Sequence, residues 1–210
     1  MGVSDLDASD IIARLQHHRP SILGLEAYRK FAVLLPLIEK NQETHLLFEV
    51  RSLTLRSQPG DVCFPGGKVD QEDKDERACA FRETFEELGI EQSWIEGGYP
   101  LDYLVGDGRI IYPFIGRIRD PDRIHPNPFE VETVFTVPLR FFQQTKPDVY
   151  HVALQPVPEN DFPFELIQGG KDYNWQPHYV EELFYQYEGH VIWGLTARII
   201  THFIELLEEG

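Results

Sequence analysis

Cysteine is scarce in this chain: Cys63 and Cys79 are the two in 210 residues. They fall in separate expected elements and lack metal-ligand spacing, which excludes a disulfide scaffold and reads as two reduced, buried thiols. A reducing setting, and with it a cytoplasmic location, is the expectation. Basic residues are also few, 19 Lys plus Arg against 35 Asp plus Glu, for a net charge of -16. That balance disfavours nonspecific attraction to nucleic acid or to an anionic membrane. Long apolar runs are missing: no stretch reaches the length of a membrane span, and the opening MGVSDLDASD lacks the cationic and apolar regions of a signal peptide. The histidines show no ligand spacing beyond adjacent His17 and His18, so zinc is not expected.

What is present is an ordinary globular composition, 42% hydrophobic and 26% charged, without internal repeats or a dividing linker. SDIIARLQHH, residues 9–18, places Ile11, Ile12 and Leu15 on one side after a cap at Ser9, which predicts a short amphipathic helix in an arm over residues 1–25. FAVLLPLIEK, NQE and THLLFEV predict two strands and a tight turn, the start of a domain over 26–210. Strands are expected near 101–105, 109–118 and 131–138, a short helix over 138–145, and paired strands in VEELFYQYE and HVIWG. Residues 156–178 read as a long ordered loop, in which Tyr173 and Trp175, like nearby Tyr179, serve packing more readily than base stacking. LTARIITHFIELLEE sets Leu195, Ile199, Phe203 and Leu206 on one face of a closing helix. Mixed strands with helices at both ends predict an α/β layered fold.

The informative stretch is GGKVDQEDKDERACAFRETFEELGI, residues 66–90. Asp73 can cap a helix and Glu76 can reach back to it, while Gly89 supplies a left-handed stop and Ile90 can pack back on Phe85. A helix over 74–88 follows, with Ala78, Phe81, Phe85 and Leu88 toward the core and Glu76, Glu83, Glu86 and Glu87 opposite. Carboxylates so crowded repel one another. A solvated acidic face would explain a bare Glu-x-x-Glu-Glu. Here, however, the helix follows a strand and a Gly-Gly turn whose carbonyl is free to join a coordination shell, and hard divalent cations are bound by a few carboxylates together with substrate phosphates.

Gly67, Asp73 and Arg82-Glu83-Thr84-Phe85-Glu86-Glu87-Leu88-Gly89-Ile90 resemble the signature of the Nudix hydrolases. In that pattern a Gly, five residues, a Glu and seven residues precede Arg-Glu-U-x-Glu-Glu-x-Gly-U, with U a bulky aliphatic. Three departures stand out: Thr84 occupies a U site, Asp73 replaces the usual Glu, and eight residues rather than seven separate it from Arg82. Upstream, Leu46, Leu47, Arg51, Ser52, Arg56, Gly60, Phe64, Pro65, Gly66 and Gly67 are similar to the extra motif of the coenzyme A pyrophosphatase branch, with Gln58 where that branch often has His. GHVIWGLTARI also looks like this branch.

The resemblance implies an α/β/α sandwich with a mixed β-sheet. It further implies Mg²⁺ or Mn²⁺ held by Glu83, Glu86, Glu87 and the Gly67 carbonyl, with Arg82 orienting the carboxylates. The implied substrate is a small nucleotide diphosphate, coenzyme A or a derivative, split to 3′,5′-ADP and 4′-phosphopantetheine. Arg51 and Arg56 are the expected phosphate contacts, by the bidentate fork of the guanidinium, with Ser52, Phe64 and Lys68 completing the substrate set. For the general base, Glu130 is the expectation beside the helix glutamates, with Glu132 its neighbour in NPFEVETVF. Family members often dimerise, so a homodimer is among the expected assemblies. Two other readings stay open on the residues: a diphosphatase acting on ADP-ribose, NADH or a nucleoside triphosphate, and a noncatalytic nucleotide-binding domain. The latter would be marked by loss of a helix carboxylate, and all three are present.

Overall fold

The structure, a computed structural model, describes residues 7–209. Its first helix, α1 (Ala8–Leu15), is capped by Asp7, whose carboxylate accepts the Asp10 N–H at 2.8 Å, and not by Ser9. The apolar side of α1 is exposed among the described residues, at Ile11, Ile12 and Leu15, and the first six residues of the expected arm lie outside the described residues.

The domain is organised by strand β1 (Arg29–Lys40), whose near-continuous apolar run is that of a central strand covered on both faces. It turns through Asn41 and Gln42, both with positive φ as a tight hairpin requires, into β2 (Glu43–Arg51). The hairpin then splays. β1 pairs with β2 only over Leu37–Lys40, while its first half pairs with β4 (Gly66–Lys68), which follows β3 (Val62–Cys63). Pro36 falls between these two pairings, at the point where a missing N–H costs the ladder least.

Helix α2 (Glu76–Leu88) leads to β5 (Ile95–Pro100), β6 (Leu104–Gly106) and β7 (Arg109–Ile118), the last running parallel to β1. β8 (Val131–Pro138) pairs along β2, and α3 (Leu139–Gln144) follows. A second, three-stranded sheet comprises β9 (Asp148–Leu154), β10 (His178–Tyr187) and β11 (His190–Trp193), before α4 (Gly194–Glu209) closes the chain. Strands β5 and β9 are not expected from the sequence, and the expected Gly-Gly turn is instead strand β4, paired with β1. The loop between β9 and β10 is held by its own aromatic cluster of Phe162, Phe164, Tyr173 and Trp175.

The main sheet carries α2 on one face. Its other face packs against α3, α4 and the inner side of the small sheet, around Phe48, Phe142, Tyr185, Ile192 and Ile200. The expected α/β/α sandwich with a mixed sheet is what the chain forms. Among the described residues no helix is long and apolar enough to cross a membrane.

Candidate active site

The splay of β1 from β2 opens a gap at one end of the sheet, and β4 turns through it into α2. The helix starts two residues later than expected. Asp75, not Asp73, is the cap, accepting the Ala78 N–H at 2.8 Å, and Glu76 pairs with Lys30 on β1 at 3.0 Å instead of reaching back. The C-terminus is as expected: Gly89 has φ +70° and its N–H donates to the Phe85 carbonyl.

Release from capping gives Asp73 another partner. Arg82 Nε and Nη2 donate to its two oxygens at 2.9 and 3.0 Å, a bidentate pair, while Nη1 donates to Glu83 at 2.8 Å and to Glu86 at 3.1 Å. The guanidinium beside Asp73 holds that carboxyl down to about 2. Thus the shorter Asp and the extra residue before the helix still bring a carboxylate to Arg82.

The helix is also rotated from the expected division. Phe85 is 51% exposed, whereas Glu87 is 3% exposed and belongs to the buried arc of Cys79, Ala80, Phe81, Thr84 and Leu88. Ile90 turns into the core under α2, away from solvent-facing Phe85. The polar members of the arc are satisfied locally: the Thr84 hydroxyl donates to the Ala80 carbonyl at 2.7 Å, and the Gly66 N–H donates to Glu87 Oε2 at 2.8 Å. Hence Thr84 occupies a buried aliphatic site without an unmet donor. Glu83 lies directly over Gly67, where any Cβ would overlap its carboxylate.

The acids form one electrostatic cluster. Burial, then the neighbouring Glu49, pushes the Glu87 carboxyl up, with Glu83 and Glu130 adding to the shift; burial likewise raises Glu83, against the pull of Arg82. Glu130 reaches this cluster because residues 125–130 wrap the end of α2, with the His125 and Asn127 N–H groups donating to the Leu88 and Glu87 carbonyls at 2.8 Å. Glu132 is exposed on β8 and does not enter it, so of the two acids the structure selects Glu130 as the neighbour of the helix glutamates.

The expected substrate residues divide. Arg51 lies at the end of β2, beside the buried acids, with its Nε enclosed and unpaired among the described residues. Arg56 and Lys68 are exposed on the adjoining loop and on β4. Ser52 is buried; its hydroxyl meets Thr54 at 3.0 Å and its N–H donates to the Glu130 carbonyl at 2.8 Å, so it ties two loops together. Phe64 is a correction. It is 3% exposed and, from the link between β3 and β4, stacks on Phe48 at 4.9 Å in the core facing α4. The sequence reading missed Glu49, a fully buried acid on β2. The signal was available: an acid interrupting the apolar run LLFEV.

The NUDIX domain family model matches residues 28–163. The chain belongs to the Nudix family. Among its relatives is the peroxisomal coenzyme A diphosphatase of Mus musculus, 39% identical over 69% of this chain and 56% of that protein. A NudL Nudix hydrolase of Photorhabdus laumondii is 37% identical over 82% of this chain and 81% of its own length. The mitochondrial coenzyme A diphosphatase of Homo sapiens is 32% identical over 85% and 70%. This Nudix chain thus spans little more than half of the mouse relative and most of the other two.

A divalent cation fits the Nudix site on three observations. The crowded carboxylates raise one another's affinity for positive charge, Gly67 leaves Glu83 room over the β4 backbone, and Glu49 Oε2 is buried without a donor among the described residues. Among the described residues no three of these acids already converge on one point, since Arg82 holds Glu83 and Glu86. A bound cation would compete with Arg82 for those oxygens.

Proposed function

We propose that the protein hydrolyses the diphosphate of coenzyme A or of its acylated or oxidised derivatives, releasing 3′,5′-ADP and 4′-phosphopantetheine or the corresponding acyl form. The observation that carries this reading is the grouping of Glu83, Glu87 and Glu130 with Arg51 at the splayed end of the sheet, in a chain whose relatives include two named coenzyme A diphosphatases. Glu83, Glu86 and Glu87, with the Gly67 carbonyl, hold Mg²⁺ or Mn²⁺. When bound, the metal supplies neutralisation of phosphoryl charge and a more acidic water. Its charge also lets a protein of net charge -16 receive a polyanion.

The chain's own residues do the remaining work. Arg82, anchored on Asp73, sets the directions of Glu83 and Glu86. Arg51 reads phosphate oxygens from the sheet end, and Arg56 and Lys68 from the rim. Glu130 accepts the proton given up as water attacks phosphorus and the bridging P–O bond breaks.

The test is mass-spectrometric product analysis with Mg²⁺ or Mn²⁺, offering coenzyme A beside ADP-ribose, NADH and ATP. The expected result is 3′,5′-ADP with 4′-phosphopantetheine, falling at least about tenfold in Glu86→Gln. Turnover of another substrate alone would overturn the coenzyme A assignment, and no turnover of any would overturn the enzyme reading.

A further inference from the structure

Strand β2 alternates between two cores. Leu46 and Phe48 pack toward α4, and Leu47 packs under α2. Glu49 and Arg51 share the side of Leu47. Glu49 is 0% exposed, yet its hydrogen bonding is poor: Oε1 accepts the Cys63 thiol at 3.3 Å and Oε2 meets no donor among the described residues. It faces Glu87 closely enough for the two carboxyls to interact directly, with Glu130 nearby and Arg51 as the adjacent cation. A buried carboxylate with one weak thiol donor is costly unless a proton or a metal compensates it. Orienting Glu87 does not require it, because the Gly66 N–H already holds Glu87 Oε2 at 2.8 Å.

We propose that Glu49 is a further ligand of the divalent cation, contributed by β2 from beneath the helix glutamates. The inference rests on the metal-dependent reading of the site and adds a carboxylate that lies outside the helix motif. The metal centre would then draw on both the sheet and the helix. Metal binding would thereby compensate an acid that the metal-free fold leaves without a strong partner.

The test is Mn²⁺ binding to the substrate-free protein, followed by loss of the free-ion signal in electron paramagnetic resonance, for wild type, Glu49→Gln and Glu86→Gln. Glu49→Gln is expected to weaken Mn²⁺ binding at least about tenfold while circular dichroism stays unchanged. Gln is nearly isosteric with Glu but loses the charge. Wild-type affinity in Glu49→Gln, with Glu86→Gln weakened, would therefore overturn the proposal and leave the helix metal site standing. No Mn²⁺ binding by wild type would overturn the metal reading itself, and this inference with it. Should Glu49→Gln fail to fold, Glu49→Asp keeps the charge and withdraws it by one methylene. Weakened binding there supports ligation, and unchanged affinity overturns it.

Discussion

Arg82 donates five hydrogen bonds to acids and backbone along α2 and the segment before it, and Asp73 is the partner whose pairing is bidentate and whose side chain is almost enclosed, at 5% exposure. Hydrogen bonds to charged groups are worth roughly 1.5–3 kcal/mol. Asp73→Ala is accordingly expected to lower stability by about 2 kcal/mol in urea unfolding. It should also lower activity, because Arg82 then swings toward Glu83 and Glu86. At this scale the sequence identified the chemical groups but not all their partners. Asp73 looked like a cap, and Phe64 looked like a substrate contact until its stacking on Phe48 placed it in the core.

Two glycines at the ends of the α2 segment constrain the element. Gly89 has φ +70°, and a Cβ there would lie 3.2 Å from the His125 carbonyl oxygen. Gly89→Ala is expected to cost about 1–2 kcal/mol, the penalty of a left-handed alanine, measured by thermal or urea unfolding. Gly67 has no such dihedral demand, but a side chain there would overlap Glu83. Gly67→Ala should therefore weaken Mn²⁺ binding and turnover with a smaller effect on folding, a split visible by comparing unfolding midpoints with metal titrations. The helix itself was legible from period and punctuation, and its C-terminal stop was correct. Its rotation was not legible: Phe85 and Glu87 exchange the sides expected of them. Both arcs have helical spacing, and the choice fell to the Gly66 N–H, which makes burial of Glu87 tolerable.

For the whole molecule, the acid cluster links stability to pH. Burial raises Glu49 to about 7 and Glu87 to about 9, from an ordinary value of 4.5. With folded values above the unfolded one, the native state binds more protons across that window. The stabilising contribution is full below the ordinary carboxylate range and is lost as pH rises through the raised values. The metal-free protein should thus melt at lower temperature as pH increases from about 5 to about 9. Mg²⁺ or Mn²⁺ should raise the melting temperature most at the alkaline end, since ligands must lose their protons to bind metal. Scanning calorimetry with and without metal checks both trends. A flat metal-free profile would contradict the placement of this pair.

The sequence by itself determined the local devices: the Asn41-Gln42 turn, the central apolar strand, the acidic helix stopped at Gly89, and the signature that implied a layered α/β fold. Each is written in spacings of a few residues, where backbone geometry and side-chain period act directly. Tertiary structure alone decided which groups meet. Glu49 and Glu87 are 38 positions apart by their numbers, and Glu130 lies farther along. They come together because β1 splays from β2, β4 fills the gap, and residues 125–130 cover the end of α2. Such juxtapositions depend on strand register and on which helix face is buried, and neither is fixed until the sheet, the helix and the loops pack against one another.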